Sequence, residues 1–179
     1  MRIIAGTWRG RRLQTPRGRA TRPTTDRVRE AWMAMVGDAL AGARVLDLYA
    51  GSGALGLEAL SRGAREAVFV ERGRGALAAL RANVAALDAG DRAVVRAGEV
   101  LRVVRSLGEG AFDLAFADPP YDSDEAERLV RRFVEHPFAR ALWVEHRSSD
   151  PPTWAEPVRS RRYGDTTLSL FTAPGTDTP

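Results

Sequence analysis

The hydrophobic pattern of the chain alternates short apolar runs with longer amphipathic segments. The apolar runs predict buried strands, and segments with apolar residues three or four positions apart predict helices. The predicted strands span residues 44–48, 67–71, 93–97, 112–117 and 140–145, and the predicted helices span 54–62, 73–88, 99–107 and 124–136. Strands that are apolar at most positions and alternate with helices are typical of a parallel sheet covered on both faces, so we predict an α/β fold.

Both ends of the chain depart from this alternation. Residues 2–5 and 11–14 predict a small β-hairpin, which is followed by a helix from Thr24 or Thr25 to about Ala39. A second hairpin, with Gly164-Asp165 as its turn, is predicted to add antiparallel strands to the sheet edge. Its two strands span residues 158–163 and 167–172. We expect an N-terminal extension, a main domain and a flexible tail: residues 1–40, 41–173 and 174–179.

The strand at 112–117 leads into the most informative stretch of the chain, Asp-Pro-Pro-Tyr. Two prolines end the strand and stiffen the turn after it, at the sheet edge where open α/β folds bind ligands. A carboxylate, a carbonyl and an aromatic face together suit a flat ring that carries an amine. The tyrosine would stack on the ring, while the aspartate and the first proline's carbonyl accept the amine hydrogens. The catalytic candidates are Asp118, Pro119, Pro120 and Tyr121.

Two acceptors aimed at an exocyclic amine would make it a better nucleophile. The nitrogen lone pair is normally delocalised into the ring, and acceptors on its N–H bonds favour a pyramidal nitrogen whose lone pair points at an electrophile. This chemistry needs no cysteine, metal or catalytic histidine. The chain contains no Cys and two His, and we interpret His136 and His146 as structural. The sequence shows no cluster of metal ligands.

A glycine-rich loop follows the first predicted strand. Gly51, Gly53 and Gly56 have the spacing of the dinucleotide-binding fingerprint, and they lead into a predicted helix. Glycines permit backbone conformations closed to other residues and let a ligand approach the main chain. Glu71 ends the next predicted strand, 20 residues after Gly51, where an acidic side chain suits ribose hydroxyls.

Two cofactors fit this loop. A nicotinamide dinucleotide would place its pyrophosphate there, whereas S-adenosyl-L-methionine would place its amino acid end there and its ribose on Glu71. Asp47 favours the second, because a carboxylate attracts a cationic ligand and sits poorly beside a pyrophosphate. Glu99, after the third predicted strand, either bonds the adenine amine or begins the next helix, where the helix dipole favours an acid. The cofactor candidates are Asp47, Tyr49, Gly51, Ser52, Gly53, Glu71, Arg72 and Glu99.

Positive charge is concentrated at the N-terminus. All 27 basic residues are arginines; residues 1–30 hold nine of them against two acids, a net +7, and the remainder holds 18 against 21, a net −3. Such asymmetry indicates either a nucleic-acid surface, with Trp8 as a stacking group, or a solvated arginine-rich tail. We favour nucleic acid, since turn signals interrupt this region. The candidate contacts are Arg9, Arg11, Arg12, Arg22, Thr24, Asp26 and Arg27.

Length and composition set broader bounds. The 179 residues suffice for one domain with a full core. No apolar run approaches membrane length, and no charged-then-apolar leader is visible. Together with the absence of cysteine, this leads us to expect a cytoplasmic protein with no membrane partner. We expect a monomer, since no predicted helix has a long spare apolar stripe.

Five stretches resemble the RsmD family of bacterial ribosomal RNA methyltransferases, and the resemblance covers nearly the whole chain. They are RIIAG with RGRRL at 2–13, RPTTDRVRE at 22–30, DLYAGSGALGLEA at 47–59, DPPY at 118–121 and YGDT at 163–166. The arginine-rich opening and RPTTDRVRE are the specific parts, since many amine methyltransferases share the glycine loop and DPPY.

The resemblance implies a class I, S-adenosyl-L-methionine-dependent methyltransferase: a Rossmann-like, mostly parallel seven-stranded sheet with a C-terminal antiparallel hairpin. It implies methylation of the N2 amine of a guanine in 16S rRNA, of the type numbered 966 there. The cofactor would lie on Asp47, Gly51, Gly53 and Glu71. The partner would be 16S rRNA or an assembling small ribosomal subunit, in which a ribosomal protein is an additional candidate. Glu99 departs from the family pattern, in which Asp is commoner at the adenine position.

Three other functions remain open on the sequence. DNA adenine-N6 methylation also uses DPPY, although this chain has little room for a target-recognition region. A non-catalytic RNA-binding protein would not need the acids that the cofactor and target sites retain. A dinucleotide-dependent oxidoreductase is distinguished from a methyltransferase by a binding measurement: the former binds NAD and the latter S-adenosyl-L-methionine.

Overall fold

The computed structural model describes residues 1–16, 26–151, 153 and 155–176, and of residues 26 and 27 it describes the backbone alone. Helices and strands follow one another in the order that the sequence predicts. In chain order they are α1 (Asp26–Val36), β1 (Arg44–Leu48), α2 (Ala54–Ser61), β2 (Glu66–Glu71), α3 (Arg74–Ala86), β3 (Ala93–Ala97), α4 (Val100–Arg105), β4 (Phe112–Ala117), α5 (Glu125–Glu135), β5 (Ala139–Arg147), β6 (Arg159–Tyr163) and β7 (Thr166–Thr172). Within the described residues, no helix is long and apolar enough to cross a membrane.

The described strands form one seven-stranded sheet in the order β3-β2-β1-β4-β5-β7-β6. Strands β1 to β5 are parallel, and β7 runs antiparallel to both β5 and β6. This confirms the mostly parallel α/β fold and its C-terminal antiparallel hairpin. The strand order reverses between β1 and β4, because the chain moves outward from β1 to β3 and then returns to β4. Such a reversal opens a crevice at the carboxyl ends of the two strands, where open α/β sheets bind ligands.

Alternate residues of each central strand belong to two apolar cores, one on each face of the sheet. On β1, Val45 joins a core with α1, α2 and α3, whereas Leu46 joins a core with α4 and α5. Because both faces are buried, the strands need apolar residues on both sides, which explains their continuous apolar runs. Trp32 of α1 meets Phe116 of β4 edge to face, with 5.8 Å between ring centroids. The first helix therefore packs directly beneath the strand that leads to Asp-Pro-Pro-Tyr.

The N-terminal residues form a short antiparallel ladder. Arg2 and Arg12 make an isolated bridge, and the N–H of Ile3 donates to the carbonyl of Arg11 at 2.9 Å. The predicted helix start at Thr24 or Thr25 lies outside the described residues. The helix ends at Val36 and not near Ala39, because a 3₁₀ turn spans Gly37–Leu40, and Gly37 has φ +54°.

Helix α2 anchors this ladder through buried polar groups. The Glu58 carboxylate is fully buried and accepts hydrogen bonds from the N–H groups of Ile4 at 2.8 Å and Ala5 at 2.9 Å. The Ser61 hydroxyl donates to the Ala5 carbonyl at 2.6 Å and accepts from the Trp8 N–H at 2.9 Å. The N-terminal segment is thus fixed against the helix that begins at the glycine loop.

Candidate active site

The glycine loop turns sharply between β1 and α2. Tyr49, Gly51 and Gly53 have positive φ angles of 58°, 55° and 84°, a region open to glycine and strained for tyrosine. A side chain on Gly51 would meet no atom closer than 4.0 Å, so the main chain there is open to a ligand. A Cβ on Gly56 would lie 2.4 Å from the Phe69 ring. Gly51 therefore leaves room for a ligand, whereas Gly56 permits close packing of α2 on β2.

Asp47, at the end of β1, holds the glycine loop by a hydrogen bond. Its Oδ2 accepts the N–H of Gly56 at 2.8 Å, and the residue is 1% exposed. Burial raises the pKa of Asp47 to about 8; the negative charges of Asp118 and Glu71 act in the same direction, and the Gly56 N–H acts against them. The folded chain therefore keeps this carboxyl mostly protonated at neutral pH. Its expected attraction for a cationic ligand stays a prediction, one that requires the release of this proton.

Glu71 joins the glycine loop to the start of α3. Its Oε2 accepts the N–H of Gly51 at 2.8 Å, and its Oε1 accepts the N–H groups of Arg72 at 2.8 Å and Gly73 at 2.6 Å. A carboxylate has about four acceptor positions, so one remains for a ligand hydroxyl. Glu71 lies where the sequence predicts a ribose-binding acid, and it also shapes the loop that would receive the rest of the ligand.

Arg72 and Glu99 lie further out on the same edge. The Arg72 guanidinium makes ion pairs with Glu99 at 3.5 Å and Glu125 at 3.6 Å. Glu99 directly precedes α4 but makes no side-chain capping hydrogen bond, and its side chain is 68% exposed. Burial, followed by the Glu125 carboxylate, raises the pKa of the Tyr49 phenol above its ordinary value. Both interpretations of Glu99, adenine contact and helix start, stay predictions.

Asp118 and Tyr121 lie beside the loop because of strand register. Leu48, the last residue of β1, pairs with Ala117, the last residue of β4. The glycine loop and the Asp-Pro-Pro-Tyr turn therefore leave the sheet at the same level on adjacent strands. Asp118 is half-buried and is close enough to Asp47 to raise its pKa. The structure thus brings Asp118 near Asp47, at the ends of adjacent strands.

Tyr121 is held by Thr166, from the YGDT stretch, and by Glu145, which the sequence analysis did not single out. Its hydroxyl donates to Oε1 of Glu145 at 2.6 Å and lies 3.0 Å from the Thr166 hydroxyl. Glu145 is 4% exposed and belongs to β5. Burial, followed by the Glu145 contact, raises the pKa of Tyr121 above its ordinary value, so the phenol stays neutral. An acid inside the apolar run Ala-Leu-Trp-Val-Glu was the available signal, since a carboxylate is rarely buried without a partner.

The N-terminal segment reaches the glycine loop at Gln14, whereas Arg11 donates to the Ala86 carbonyl at the far end of α3. Nδ2 of the buried Asn83 donates to the carbonyls of Gln14 at 3.0 Å and Ser52 at 2.9 Å, which links the two segments. Arg9, Arg11 and Arg12 are exposed. Arg22 and Thr24 lie outside the described residues, as do the side chains of Asp26 and Arg27.

Trp8 and the two histidines lie outside the candidate catalytic turn. The Arg92 guanidinium lies over the half-buried Trp8 ring at 5.1 Å, so part of this expected stacking surface is already used. His146 lies within β5, and its Nε2 is 2.8 Å from the Ser169 hydroxyl. Burial lowers the pKa of His146, which keeps the ring neutral. His136 follows the last residue of α5 at the surface.

The strand order and the two turns at the switch point define the class of protein: the chain has the class I methyltransferase fold. The bifunctional kinase-methyltransferase WbdD shares the fold, with a TM-score of 0.62 and 21% identity over 86% of this chain and 40% of that chain. A solved candidate methyltransferase from Escherichia coli is nearer, with a TM-score of 0.83 and 34% identity over 96% of this chain and 97% of that one.

Sequence comparison gives the family. Residues 1–172 match the family described as Conserved hypothetical protein 95. Ribosomal RNA small subunit methyltransferase D of Escherichia coli strain K12 is 42% identical over 166 residues, which cover 82% of this chain and 83% of that protein. The chain belongs to this family, the RsmD family.

Proposed function

We propose that this protein transfers a methyl group from S-adenosyl-L-methionine to the exocyclic N2 amine of a guanine in 16S rRNA. The observation that carries the proposal is the Leu48–Ala117 register, which brings the Asp-Pro-Pro-Tyr turn beside the glycine loop. A methyl donor and an amine acceptor bound at these two turns would meet without a large movement of the chain. The name of the E. coli relative supports small-subunit rRNA as the acceptor.

The cofactor would lie across the ends of β1, β2 and β3. The open main chain at Gly51 would receive its amino acid end, Glu71 its ribose and Glu99 its adenine amine. Three N–H groups already occupy Glu71, so binding both ribose hydroxyls would require the Gly51 N–H to release its bond. S-adenosyl-L-methionine supplies an electrophilic methyl carbon on a cationic sulfur. Tyr49, Ser52 and Arg72 would be further contacts of the cofactor.

Asp118 and the carbonyl of Pro119 would accept the two N–H bonds of the target amine, while the Tyr121 ring stacks on the base. The nitrogen lone pair, aimed by these two acceptors, would form the new N–C bond, and the electrons of the donor's methyl–sulfur bond would return to sulfur. The nitrogen then loses one proton, to Asp118 or to water. A guanine must leave its stack to reach this turn, as in other enzymes that modify bases.

The exposed Arg9, Arg11 and Arg12 would hold RNA phosphates. Arg22, Thr24, Asp26 and Arg27 belong to the same proposal on the sequence alone. We extend the proposal to a guanine of the type numbered 966, methylated on assembling small subunits in the cytoplasm. A ribosomal protein at that site would then be a further contact.

The test is methyl transfer from labelled S-adenosyl-L-methionine to three acceptors: naked 16S rRNA, small subunits from a strain that lacks the enzyme, and duplex DNA. Asp118→Asn keeps the side-chain shape but removes the charge, and we expect it to lower kcat by roughly 100-fold or more. Asp124→Asn is the matched control: Asp124 is an exposed carboxylate on the same turn, preceding α5, and Asn is an equally good residue there.

N2-methylguanosine in RNA, made by the wild type and by Asp124→Asn but hardly at all by Asp118→Asn, supports the proposal. Methyladenine in DNA would replace it with adenine-N6 methylation. Binding of S-adenosyl-L-methionine without transfer to any acceptor would contradict it. Full activity of Asp118→Asn would remove Asp118 from the mechanism while leaving the fold and family intact.

A further inference from the structure

A second recess lies on the side of Tyr121 away from the glycine loop. It has a volume of about 310 Å³ and lies between the end of β5 and the turn that joins β6 to β7. Its walls are Tyr121, Arg147, Ser148, Ser149, Arg162 and Asp165. None of these residues except Tyr121 has a role in the methyl transfer proposed above. Because Tyr121 lines both the recess and the target crevice, a nucleotide stacked on Tyr121 would extend its backbone toward the recess.

The two arginines of the recess are held in place but keep donors available. The Arg147 guanidinium lies over the Tyr121 ring at 5.6 Å, and its Nη2 donates to Oδ1 of Asp122 at 2.8 Å. Nε of Arg162 donates to the Gly164 carbonyl at 2.8 Å. Each guanidinium has five N–H donors, and with the described residues each forms hydrogen bonds through one nitrogen only. Groups oriented before binding lose less conformational entropy when a ligand arrives.

The two guanidinium groups of the recess suit one phosphodiester. Arg147 and Arg162 contribute two positive charges, and two carboxylates offset them: Asp165 in the wall and Asp122, which pairs with Arg147. A guanidinium fork matches the oxygens of a phosphate, which carries a single negative charge in an RNA backbone. Asp165 offers an acceptor for the ribose 2′-hydroxyl, a group that RNA has and DNA lacks. The volume equals that of about ten water molecules, which is enough for more than a bare phosphate.

We propose that this recess binds the phosphate and ribose of the RNA nucleotide next to the target guanine. The proposal rests on the function proposed above and adds a second contact surface, distant in sequence from the basic N-terminus. Residues 31–179 carry a net charge of −3, so composition alone does not reveal this pair of arginines. The recess would hold the RNA strand next to the flipped base, in addition to any phosphate contacts of the N-terminal arginines.

Arg162→Gln tests the recess, and Arg161→Gln is its matched control. Arg161 precedes Arg162 on β6 and has the same charge and exposure, but it does not line the recess because adjacent strand residues point to opposite faces. Both variants are assayed for methyl transfer to small subunits from a strain that lacks the enzyme, at several salt concentrations. Thermal unfolding and calorimetric binding of S-adenosyl-L-methionine report whether either change disturbs the fold or the cofactor site.

For Arg162→Gln we expect the KM for subunits to rise roughly tenfold while kcat changes less than about twofold. The slope of log KM against log salt should fall by about 0.7, the loss of one phosphate contact with a single strand. Arg162→Lys keeps a positive charge and should retain most of that slope. Arg161→Gln should leave KM within about twofold of the wild type.

The outcomes separate the two proposals. If the wild type methylates subunits but Arg162→Gln behaves like Arg161→Gln, the recess proposal is wrong and the proposed function stands. A rise in KM with an unchanged salt slope would also contradict a phosphate contact. If the wild type transfers no methyl group to any RNA, both proposals fail together.

Discussion

The two halves of the candidate site use carboxylates differently. In the cofactor half, Asp47 and Glu71 accept hydrogen bonds from main-chain N–H groups and so determine the shape of the glycine loop. In the target half, Glu145 accepts a hydrogen bond from the Tyr121 hydroxyl and so orients one aromatic ring. The first arrangement makes the cofactor loop part of the fold. In the second arrangement Glu145 contacts a side chain and not the main chain, so a change at Glu145 should leave the backbone of the Asp-Pro-Pro-Tyr turn in place.

This difference predicts separable effects. Changes to the carboxylates of the cofactor half should alter stability and cofactor binding, since the loop conformation depends on them. Changes to the Tyr121 contact should alter the rate of transfer and leave cofactor binding unchanged. An exposed carboxylate at the rim, such as Glu99, should affect neither the loop nor the ring.

The largest effect should come from Asp47→Asn, through the pH dependence of stability. The folded pKa of about 8 lies above the ordinary value of 3.8, so between about pH 4 and pH 8 the folded chain holds a proton that the unfolded chain releases. The proton on Asp47 therefore contributes to the free energy of unfolding. Its contribution is present in full below about pH 4 and falls as pH rises to about 8, by at most about 1.4 kcal/mol per pH unit. Asparagine carries no such proton and still offers an oxygen to the Gly56 N–H.

Urea unfolding at pH 5, 6, 7 and 8 measures this contribution as the difference between wild type and variant. The stability of Asp47→Asn relative to wild type should increase steadily across the series. Asp88→Asn, at an exposed position with positive φ that asparagine tolerates, is the control and should show no trend. Parallel curves for wild type and Asp47→Asn would mean that the buried carboxyl ionises normally.

A smaller effect, confined to the rate, should come from Tyr121→Phe. The ring remains but loses its bond to Glu145, so the stacked base would be less well oriented, and we expect kcat to fall roughly tenfold, about 1.4 kcal/mol in the barrier. Binding of S-adenosyl-L-methionine should not change. Tyr163→Phe is the matched control, since the Tyr163 hydroxyl forms no hydrogen bond with the described residues.

Glu145 is a positioning residue in this account, and its variants sharpen the test. Gln at position 145 retains an oxygen that accepts the Tyr121 hydroxyl, so Glu145→Gln should keep more of kcat than Glu145→Ala. An equal loss in both variants, with a matching drop in thermal stability, would indicate a purely structural acid. A kcat for Tyr121→Phe equal to that of the wild type would show that the ring needs no such support.

The sequence predicts the fold more completely than it predicts the site. Strand positions follow from local apolar runs, and β3 and β4 begin and end where the pattern indicates. The glycine loop and the Asp-Pro-Pro-Tyr turn are also local. Glu145 and Arg147 meet Tyr121 because β5 pairs with β4, and Thr166 meets it because β7 pairs with β5. Such contacts join residues 24 to 45 positions apart, and no local periodicity reports them.

The burial of Asp47 is a second limit of sequence reasoning. A carboxylate before a glycine loop indicates a ligand contact, but the pattern does not show that the loop folds over it. The Phe69 ring and the close approach of Gly56 produce that burial. Both are consequences of packing α2 on β2, a contact that hydrophobic spacing does not specify in detail.

The smallest effect on stability should come from Glu99→Gln, which tests the rim. The carboxylate is 68% exposed and pairs with an exposed Arg72 guanidinium at 3.5 Å, so its loss should shift the Tm by less than about 2 °C. Calorimetric binding then separates the two interpretations of this residue. If Glu99 bonds the adenine amine, the Kd for S-adenosyl-L-methionine should rise roughly fivefold, whereas S-adenosyl analogues without that amine should bind both forms equally. If Glu99 serves only the start of α4, Kd stays the same, and the adenine must be recognised by main-chain groups of the neighbouring loops.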